Sequence, residues 1–227
     1  MKFLEYILNG FSRVLSVDTE YLSDSTGTIP QRVLCLVFKD IKTNEIFRYW
    51  VYDQKQIPHF FDYENVLLIS FNAVAEHGSF LNLLHGQPKN MFDCFVENKC
   101  LYGPFLAKNK TGLIDTCNRY NIPSLTKEEK DRELDVILRR NEHEGKPFEY
   151  TLEEQQRIMR YCQTDVEENA ELFIAQVNDI EEKNNLKTEE DFNKKLWEIC
   201  FRGYSQGSIS KIERNGIPGD LKLINDF

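Results

Sequence analysis

The segment Arg13-Val-Leu-Ser-Val-Asp-Thr-Glu-Tyr21 places two acids, Asp18 and Glu20, at the end of an apolar run. The β-branched and apolar residues of this run predict a strand, and side chains two residues apart in a strand lie on the same face. Two carboxylates on one face can hold a divalent metal ion, although most such pairs in proteins are solvated surface acids. The pair therefore indicates a site only if the rest of the chain supplies partners.

The composition is that of a globular domain. The chain has 227 residues, of which 41% are hydrophobic and 29% are charged, which is enough for one full hydrophobic core. Its longest apolar run, Val66–Ser70, is far shorter than the roughly 18 residues of a membrane span. We therefore expect no membrane association and a cytoplasmic location. The net charge of −9 argues against a protein that coats nucleic acid through a broad basic face.

The first half of the chain predicts strands joined by short turns. Runs rich in β-branched and aromatic residues occur at 14–20, 32–38 and 46–52, and the short polar links between them favour antiparallel pairing. These runs are followed by a buried strand, a helix and a short strand, at 66–70, 73–84 and 91–93. Strands and helices that alternate after such a meander predict an α/β fold, with a mixed sheet and helices packed against it.

The second half of the chain is predicted to be helical. Thr151 and Glu154 have the capping-box spacing and open a helix that continues towards Val177. Another helix is expected at 189–202. The acidic, lysine-rich stretch between these two helices suits a boundary. It divides the chain into a domain of residues 1–178 and a helical extension of residues 179–227.

Two later segments supply partners for Asp18 and Glu20. Asn72-Ala-Val-Ala-Glu76 follows the buried strand and places an acid in the first turn of the next helix. Tyr161 and Asp165 are four residues apart in the capped helix, so they lie on one of its faces. Taken singly, these residues are better explained as a helix-start acid, a core aromatic and a surface acid. Their order along the chain favours a shared metal site.

The motifs Asp-x-Glu, Asn-Ala-x-x-Glu and Tyr-x-x-x-Asp, in this order, resemble the tyrosine-bearing branch of the DEDD exonuclease superfamily. Glu76 stands where aspartate is commonest in that pattern. Residues 112–123 and 161–166 look like the proofreading exonuclease region of family A DNA polymerases from phages and plasmids. Residues 212–220 are similar to the tail that joins exonuclease to polymerase there, apart from Gly219, where an aliphatic residue is usual. The chain ends soon after this tail, so we expect no polymerase domain within it.

The resemblance implies a fold, an activity and partners. The fold is ribonuclease H-like, with a mixed five-stranded sheet, flanking helices and a helical C-terminal extension. The activity is hydrolysis of phosphodiester bonds at DNA 3′ ends in the 3′→5′ direction, with two Mg²⁺ or Mn²⁺ ions as cofactors and nucleoside monophosphates as products. The expected partners are single-stranded DNA or DNA 3′ ends, and a polymerase domain or other replication proteins. The expected location is a bacterial or phage-infected cell.

The resemblance also implies roles for individual residues. Asp18 would bridge both metal ions, and Glu20 and Asp165 would complete the site of one of them. Glu76 would hold the other ion directly or through water, and Tyr161 would orient the attacking water. The residues assigned to substrate binding are Asn72, Lys127 and Arg132.

Two other functions stay open at this stage. The chain could be a non-catalytic docking module that kept the fold, for which the net charge of −9 and the replacement at Glu76 are the arguments. It could also be an RNA-trimming exonuclease, because the same carboxylates would cut RNA. The intact carboxylates disfavour the docking module, and the polymerase-like tail disfavours the RNA enzyme.

Overall fold

The computed structural model describes residues 2–23, 30–52, 64–83, 86–103, 110–138 and 149–215. Five strands form one sheet in the order β3-β2-β1-β4-β5. They are β1 (Arg13–Ser23), β2 (Pro30–Asp40), β3 (Ile46–Trp50), β4 (Val66–Ser70) and β5 (Met91–Asp93). The pairs β1–β2 and β2–β3 are antiparallel, whereas β1–β4 and β4–β5 are parallel. This mixed sheet with flanking helices confirms the predicted α/β, ribonuclease H-like fold class.

Helices cover both faces of the sheet. They are α1 (Lys2–Gly10), α2 (Val74–Asn82), α3 (Cys94–Tyr102), α4 (Leu113–Arg119), α5 (Lys127–Leu138), α6 (Leu152–Lys183) and α7 (Glu189–Asn215). Helix α1 was not among the predicted elements; it buries Phe3 and Ile7, which are one turn apart. No helix in the described part of the chain combines the length and hydrophobicity needed to cross a bilayer.

The central strand β1 is buried on both faces. Leu15 and Val17 belong to the core that also contains Phe80 of α2, whereas Val14 belongs to the core that contains Phe173 of α6. On the α6 face, the Ser16 hydroxyl donates to the Val166 carbonyl oxygen at 2.8 Å. This buried contact fixes the position of α6 along β1. It therefore also fixes the side chains of α6 relative to Asp18 and Glu20 of the strand.

Helix α6 begins where the sequence predicts and ends later. The capping box is present: the Thr151 hydroxyl accepts from the Glu154 amide at 3.3 Å, and Glu154 Oε2 accepts from the Thr151 amide at 2.7 Å. The helix runs on to Lys183, through the proposed boundary at residues 178 and 179. The predicted helix at 189–202 is also longer and reaches Asn215. Part of the polymerase-like tail, from residue 216 onward, lies outside the described residues.

Helix α7 packs closely on β5 and α2. A Cβ atom on Gly203 would lie 2.0 Å from the Met91 carbonyl oxygen, and one on Gly207 would lie 2.1 Å from the Gln87 side chain. The Gly203 carbonyl oxygen is also 3.1 Å from Nε2 of the buried His77, within hydrogen-bond range. Glycine therefore lets the helix backbone approach the edge strand and cover it.

Replacing Gly203 with alanine should lower the free energy of unfolding by about 1–3 kcal/mol, because the new methyl group meets backbone that cannot move away without shifting the helix. The matched control is Gly10→Ala in α1, where a Cβ atom meets nothing within 4 Å. That control should keep or raise stability, since alanine favours the helix by roughly 1 kcal/mol. Urea titrations of the two variants make the comparison, and equal stabilities would show that the close approach is unimportant.

Candidate active site

Asp18 and Glu20 leave β1 on the face that α6 covers. The Cys162 thiol of α6 donates to the Asp18 backbone oxygen at 3.3 Å, which fixes the helix against this part of the strand. Carboxylate oxygens of Asp18 and Glu20 and the Cys162 sulfur all lie within 4.8 Å of one another. The two acids of the first motif are therefore close neighbours beside α6.

Glu76 is positioned by the turn between β4 and α2. Asn72 has a left-handed backbone, with φ of 68°, a conformation that asparagine adopts more readily than most residues. The Asp93 carboxylate at the end of β5 accepts from the amides of Asn72 at 3.1 Å and Ala73 at 3.0 Å. This side chain holds the start of α2 against the neighbouring strand end. Glu76 lies in the first turn of that helix and is buried.

Helix α6 supplies the tyrosine and the last acid. Tyr161 and Asp165 lie one turn apart on α6, and both line the same cavity. The Lys130 ammonium of α5 is 2.6 Å from Asp165 Oδ1, and the lysine side chain is only 14% exposed. The acid that α6 contributes is thus already paired with one cation from within the chain.

All the residues assigned to catalysis line one cavity of about 280 Å³: Asp18, Glu20, Glu76, Tyr161 and Asp165. Its remaining wall is largely apolar and includes Phe71 after β4 together with Leu134, Ile137 and Leu138 of α5. The cavity is therefore lined by carboxyl groups on one side and mainly by apolar side chains on the other.

Burial and mutual repulsion disfavour the charged forms of these acids. Burial first, and then the charge of Asp165, raise the pKa of Asp18 to about 8. The pKa values of Glu20 and Glu76 are also raised well above the ordinary value, by burial and then by the charge of Asp18. Burial raises the pKa of Asp165 as well, although Lys130 lowers it. The site thus contains more carboxyl groups than the basic groups among the described residues can neutralise if all of them are ionised.

The acids fit a divalent cation. Glu76 is 2% exposed, and its Oε2 atom has no hydrogen-bond partner among the described residues. A buried acceptor without a donor costs free energy, and a cation in the cavity would satisfy it. Carboxylate oxygens are the ligands that Mg²⁺ and Mn²⁺ prefer. The residues that could hold such ions are Asp18, Glu20, Glu76 and Asp165.

The residues assigned to substrate binding do not line this cavity. Asn72 and Lys127 are exposed, and Arg132 is exposed and directs its Nε to the Glu128 carbonyl oxygen at 3.2 Å. Their assignment to substrate stays a prediction. The basic group that the structure brings to the acids is Lys130 instead.

Sequence reasoning missed the pairing of Lys130 with the site. The Lys130 ammonium also lies 3.7 Å from Glu168 Oε2, and Glu168 Oε1 accepts from the Leu125 amide at 3.1 Å. These contacts attach α5 and the segment before it to α6. A signal was present, because Lys130 shares a helix face with Leu134 and Ile137, four and seven residues later. A lysine in line with apolar residues faces inward.

Asp18→Asn should remove part of the pH dependence of stability in chelator. An acid whose folded pKa is raised to about 8 holds a proton in the folded state that the unfolded chain has released. Its contribution to stability is therefore present at low pH and is lost as pH rises towards 8. Urea titrations in chelator at acidic and alkaline pH should show a smaller decrease for Asp18→Asn than for the unaltered chain. An equal decrease in the free energy of unfolding in both proteins would mean that the pKa of Asp18 is not raised in the folded state.

A search with protein-family models and a search of curated proteins each find no match to this chain. Function must therefore be inferred from the chemistry of the cavity. That chemistry is a group of three buried carboxylates and one half-buried carboxylate with one tyrosine, at the end of the central strand of a ribonuclease H-like sheet.

Proposed function

We propose that this protein is a metal-dependent exonuclease that hydrolyses phosphodiester bonds at DNA 3′ ends and releases nucleoside monophosphates. The observation that carries the proposal is the cavity lined by four carboxylates and Tyr161. One buried carboxylate oxygen, Oε2 of Glu76, has no hydrogen-bond donor among the described residues. The 3′→5′ direction, the preference for DNA and a cytoplasmic location in a bacterial or phage-infected cell come from the resemblance of the three motifs.

The carboxylates would bind the cofactor. Asp18, Glu20 and Asp165 lie on one side of the cavity, on β1 and α6, and Glu76 reaches it from α2. Two Mg²⁺ or Mn²⁺ ions held by these groups would supply a water that is nucleophilic near neutral pH and would stabilise the leaving oxygen. Because these residues come from three separate elements, the folded sheet assembles the metal ligands before substrate arrives.

Tyr161 suits a positioning role. Burial, and then the charge of Asp165, raise the pKa of the phenol above its ordinary value of 10. The hydroxyl therefore stays protonated at neutral pH and cannot serve as the general base. The tyrosine is buried and lines the cavity together with Asp165, and a protonated hydroxyl can hydrogen-bond a water molecule. Because Tyr161 cannot act as the base, its contribution to hydrolysis would be to orient the attacking water.

The shape of the cavity favours a strand end. A cavity of about 280 Å³ accommodates a terminal nucleotide and is too small for a duplex. Its apolar side, formed by Phe71 and by Leu134 and Ile137 of α5, can pack against a base while the phosphate meets the acids. Substrate would thus enter as a frayed or single-stranded end.

The direct test is incubation of the purified chain with 5′-labelled single-stranded DNA, or RNA of the same sequence, in Mg²⁺, Mn²⁺ or chelator. We expect a ladder that shortens from the 3′ end, requires the metal and disappears in Asp18→Asn. The matched control is Glu171→Gln, which removes an exposed acid of α6 outside the cavity and should leave the ladder unchanged. Absence of cleavage by folded protein in both metals contradicts the proposal. Cleavage of RNA alone makes it an RNA-trimming enzyme.

Tyr161→Phe should slow hydrolysis about 10²-fold, or roughly 2.7 kcal/mol in activation free energy, because positioning of a reacting group is commonly worth this much. The ring stays, so packing and substrate binding should change little. Single-turnover rates at saturating DNA measure the effect. The control is Tyr6→Phe in α1, which removes a hydroxyl that contacts Asn193 from a half-buried tyrosine outside the cavity. Unchanged rates in Tyr161→Phe would make the tyrosine a core aromatic only.

A further inference from the structure

Helix α7 has a second face that the fold does not use. Its buried face contains Ile199, Gly203, Gly207 and Ser210. The opposite face carries four large apolar side chains, which we call the aromatic stripe: Trp197 (66% exposed), Phe201 (57%), Tyr204 (43%) and Ile212 (48%). A helix that packs through one face normally presents polar residues on the other. Apolar side chains in line on the solvent side mark a binding surface.

The rings of the stripe are already arranged for stacking. Trp197 and Phe201 are parallel within 13°, with ring centroids 5.3 Å apart. Tyr204 follows three residues after Phe201, so all three rings lie on the same side of the helix. Parallel aromatic rings that stand in solvent are the platform on which proteins stack the bases of single-stranded nucleic acid.

The charge around the stripe differs from that of the protein. Helix α7 carries five basic and five acidic residues, although the chain as a whole has a net charge of −9. Three of the acids lie in its first turn, so that residues 194–214, which bear the stripe, contain five basic and two acidic residues. Two of the basic side chains are engaged, Arg202 with Glu97 and Lys195 with Glu198. The other three form no ion pair with any described residue: Lys194, Lys211 and Arg214. Lys194 lies about one turn before Trp197 and Lys211 about two turns after Tyr204, both on the side of the rings, and Arg214 follows one turn beyond Lys211. Such cations complement a phosphate backbone.

The C-terminal end of α7 comes close to the active-site cavity. His77, next to Glu76, contacts the Gly203 carbonyl oxygen at 3.1 Å. Burial lowers the pKa of His77, and the charge of Lys211 lowers it further. Tyr21 lines the cavity. Burial first, and then the charges of the cavity acids, raise its pKa, and Glu213 of α7 makes the smallest of these contributions. The basic end of the stripe is therefore near the elements that form the catalytic cavity.

We propose that the aromatic stripe of α7 is a second binding site, for single-stranded nucleic acid, in which Trp197, Phe201 and Tyr204 stack on bases. Lys194, Lys211 and Arg214 contact the phosphates on either side. The path of the strand onward into the cavity rests on the proposed exonuclease function, whereas binding to the stripe does not. A protein that covers the stripe, including a second copy of this chain, is the competing occupant that the experiment must separate.

The chain provides its own reporter for this site. It contains two tryptophans, Trp50 and Trp197, so Trp50→Phe leaves Trp197 as the only one. Titration of this variant with oligothymidylate or oligouridylate, in chelator to prevent cleavage, should quench its fluorescence as bases stack on the indole. The affinity should fall as salt concentration rises, and the slope should be shallower in Lys211→Gln/Arg214→Gln. The two oligonucleotides show whether DNA or RNA is preferred.

Replacement of the rings completes the test. Phe201→Ala/Tyr204→Ala in the Trp50→Phe background should weaken oligonucleotide binding about tenfold or more, because stacking on two rings is lost. The control is Leu152→Ala, which removes a side chain that is 69% exposed at the start of α6 and should bind normally. Unchanged affinity in the ring variant overturns the proposal. So does a ring variant that changes only the sedimentation mass, because the stripe would then join two copies of the chain.

The outcomes also separate this site from the exonuclease. Fluorescence quenching without a cleavage ladder would contradict the proposed exonuclease activity and would support the stripe as a nucleic-acid binding site. A cleavage ladder without quenching would contradict nucleic-acid binding by the stripe and would support the exonuclease activity. Both measurements use the full chain, and the binding measurement can be repeated in Asp18→Asn, which retains every residue of α7.

Discussion

The concentration of like charge at the end of β1 is the constraint on which the rest of this structure depends. Without a cation, the raised pKa values of Asp18 and Glu20 keep these carboxyl groups partly protonated. If both were ionised, their oxygens, which lie within 4.8 Å of each other, would repel by roughly 3 kcal/mol at an effective dielectric of about 20. That is a considerable fraction of the net stability of about 5–15 kcal/mol that a domain has. Glu76 and Asp165 add to the repulsion. The fold must hold these acids together by force of packing, or with cations.

The surrounding contacts are those that such a cluster requires. β1 is buried on both faces, so the strand cannot twist away to separate its acids. Asp93 ties the start of α2 to β5 through two backbone amides, and Ser16 ties α6 to β1 through a buried hydrogen bond. Among the described residues, Lys130 is the cation that contacts these acids directly. A single ammonium cannot balance four carboxylates, which is why the site suits added divalent ions.

Local patterns in the sequence predicted most of this arrangement. The apolar, β-branched run of β1, the capping box at Thr151 and the spacing of Tyr161 and Asp165 depend on near neighbours, and the predicted fold class is confirmed. What was missed depends on distant contacts. The inward face of Lys130 appears only once α5 lies on α6, and the end of α6 at Lys183 is set by packing against α1 and α3. The role of Gly203 requires Met91 on another element to be in place.

Helix α7 changes how the extension relates to the domain. Its glycines allow close contact with β5 and α2, and His77 joins it to the helix that carries Glu76. Displacement of α7 would therefore disturb the first turn of α2 and with it one carboxylate of the cavity. A ligand that binds the outer face of α7 acts on a helix already coupled to the active site, because the inner face leaves little freedom to move independently. The extension is thus part of the structure that positions the acids.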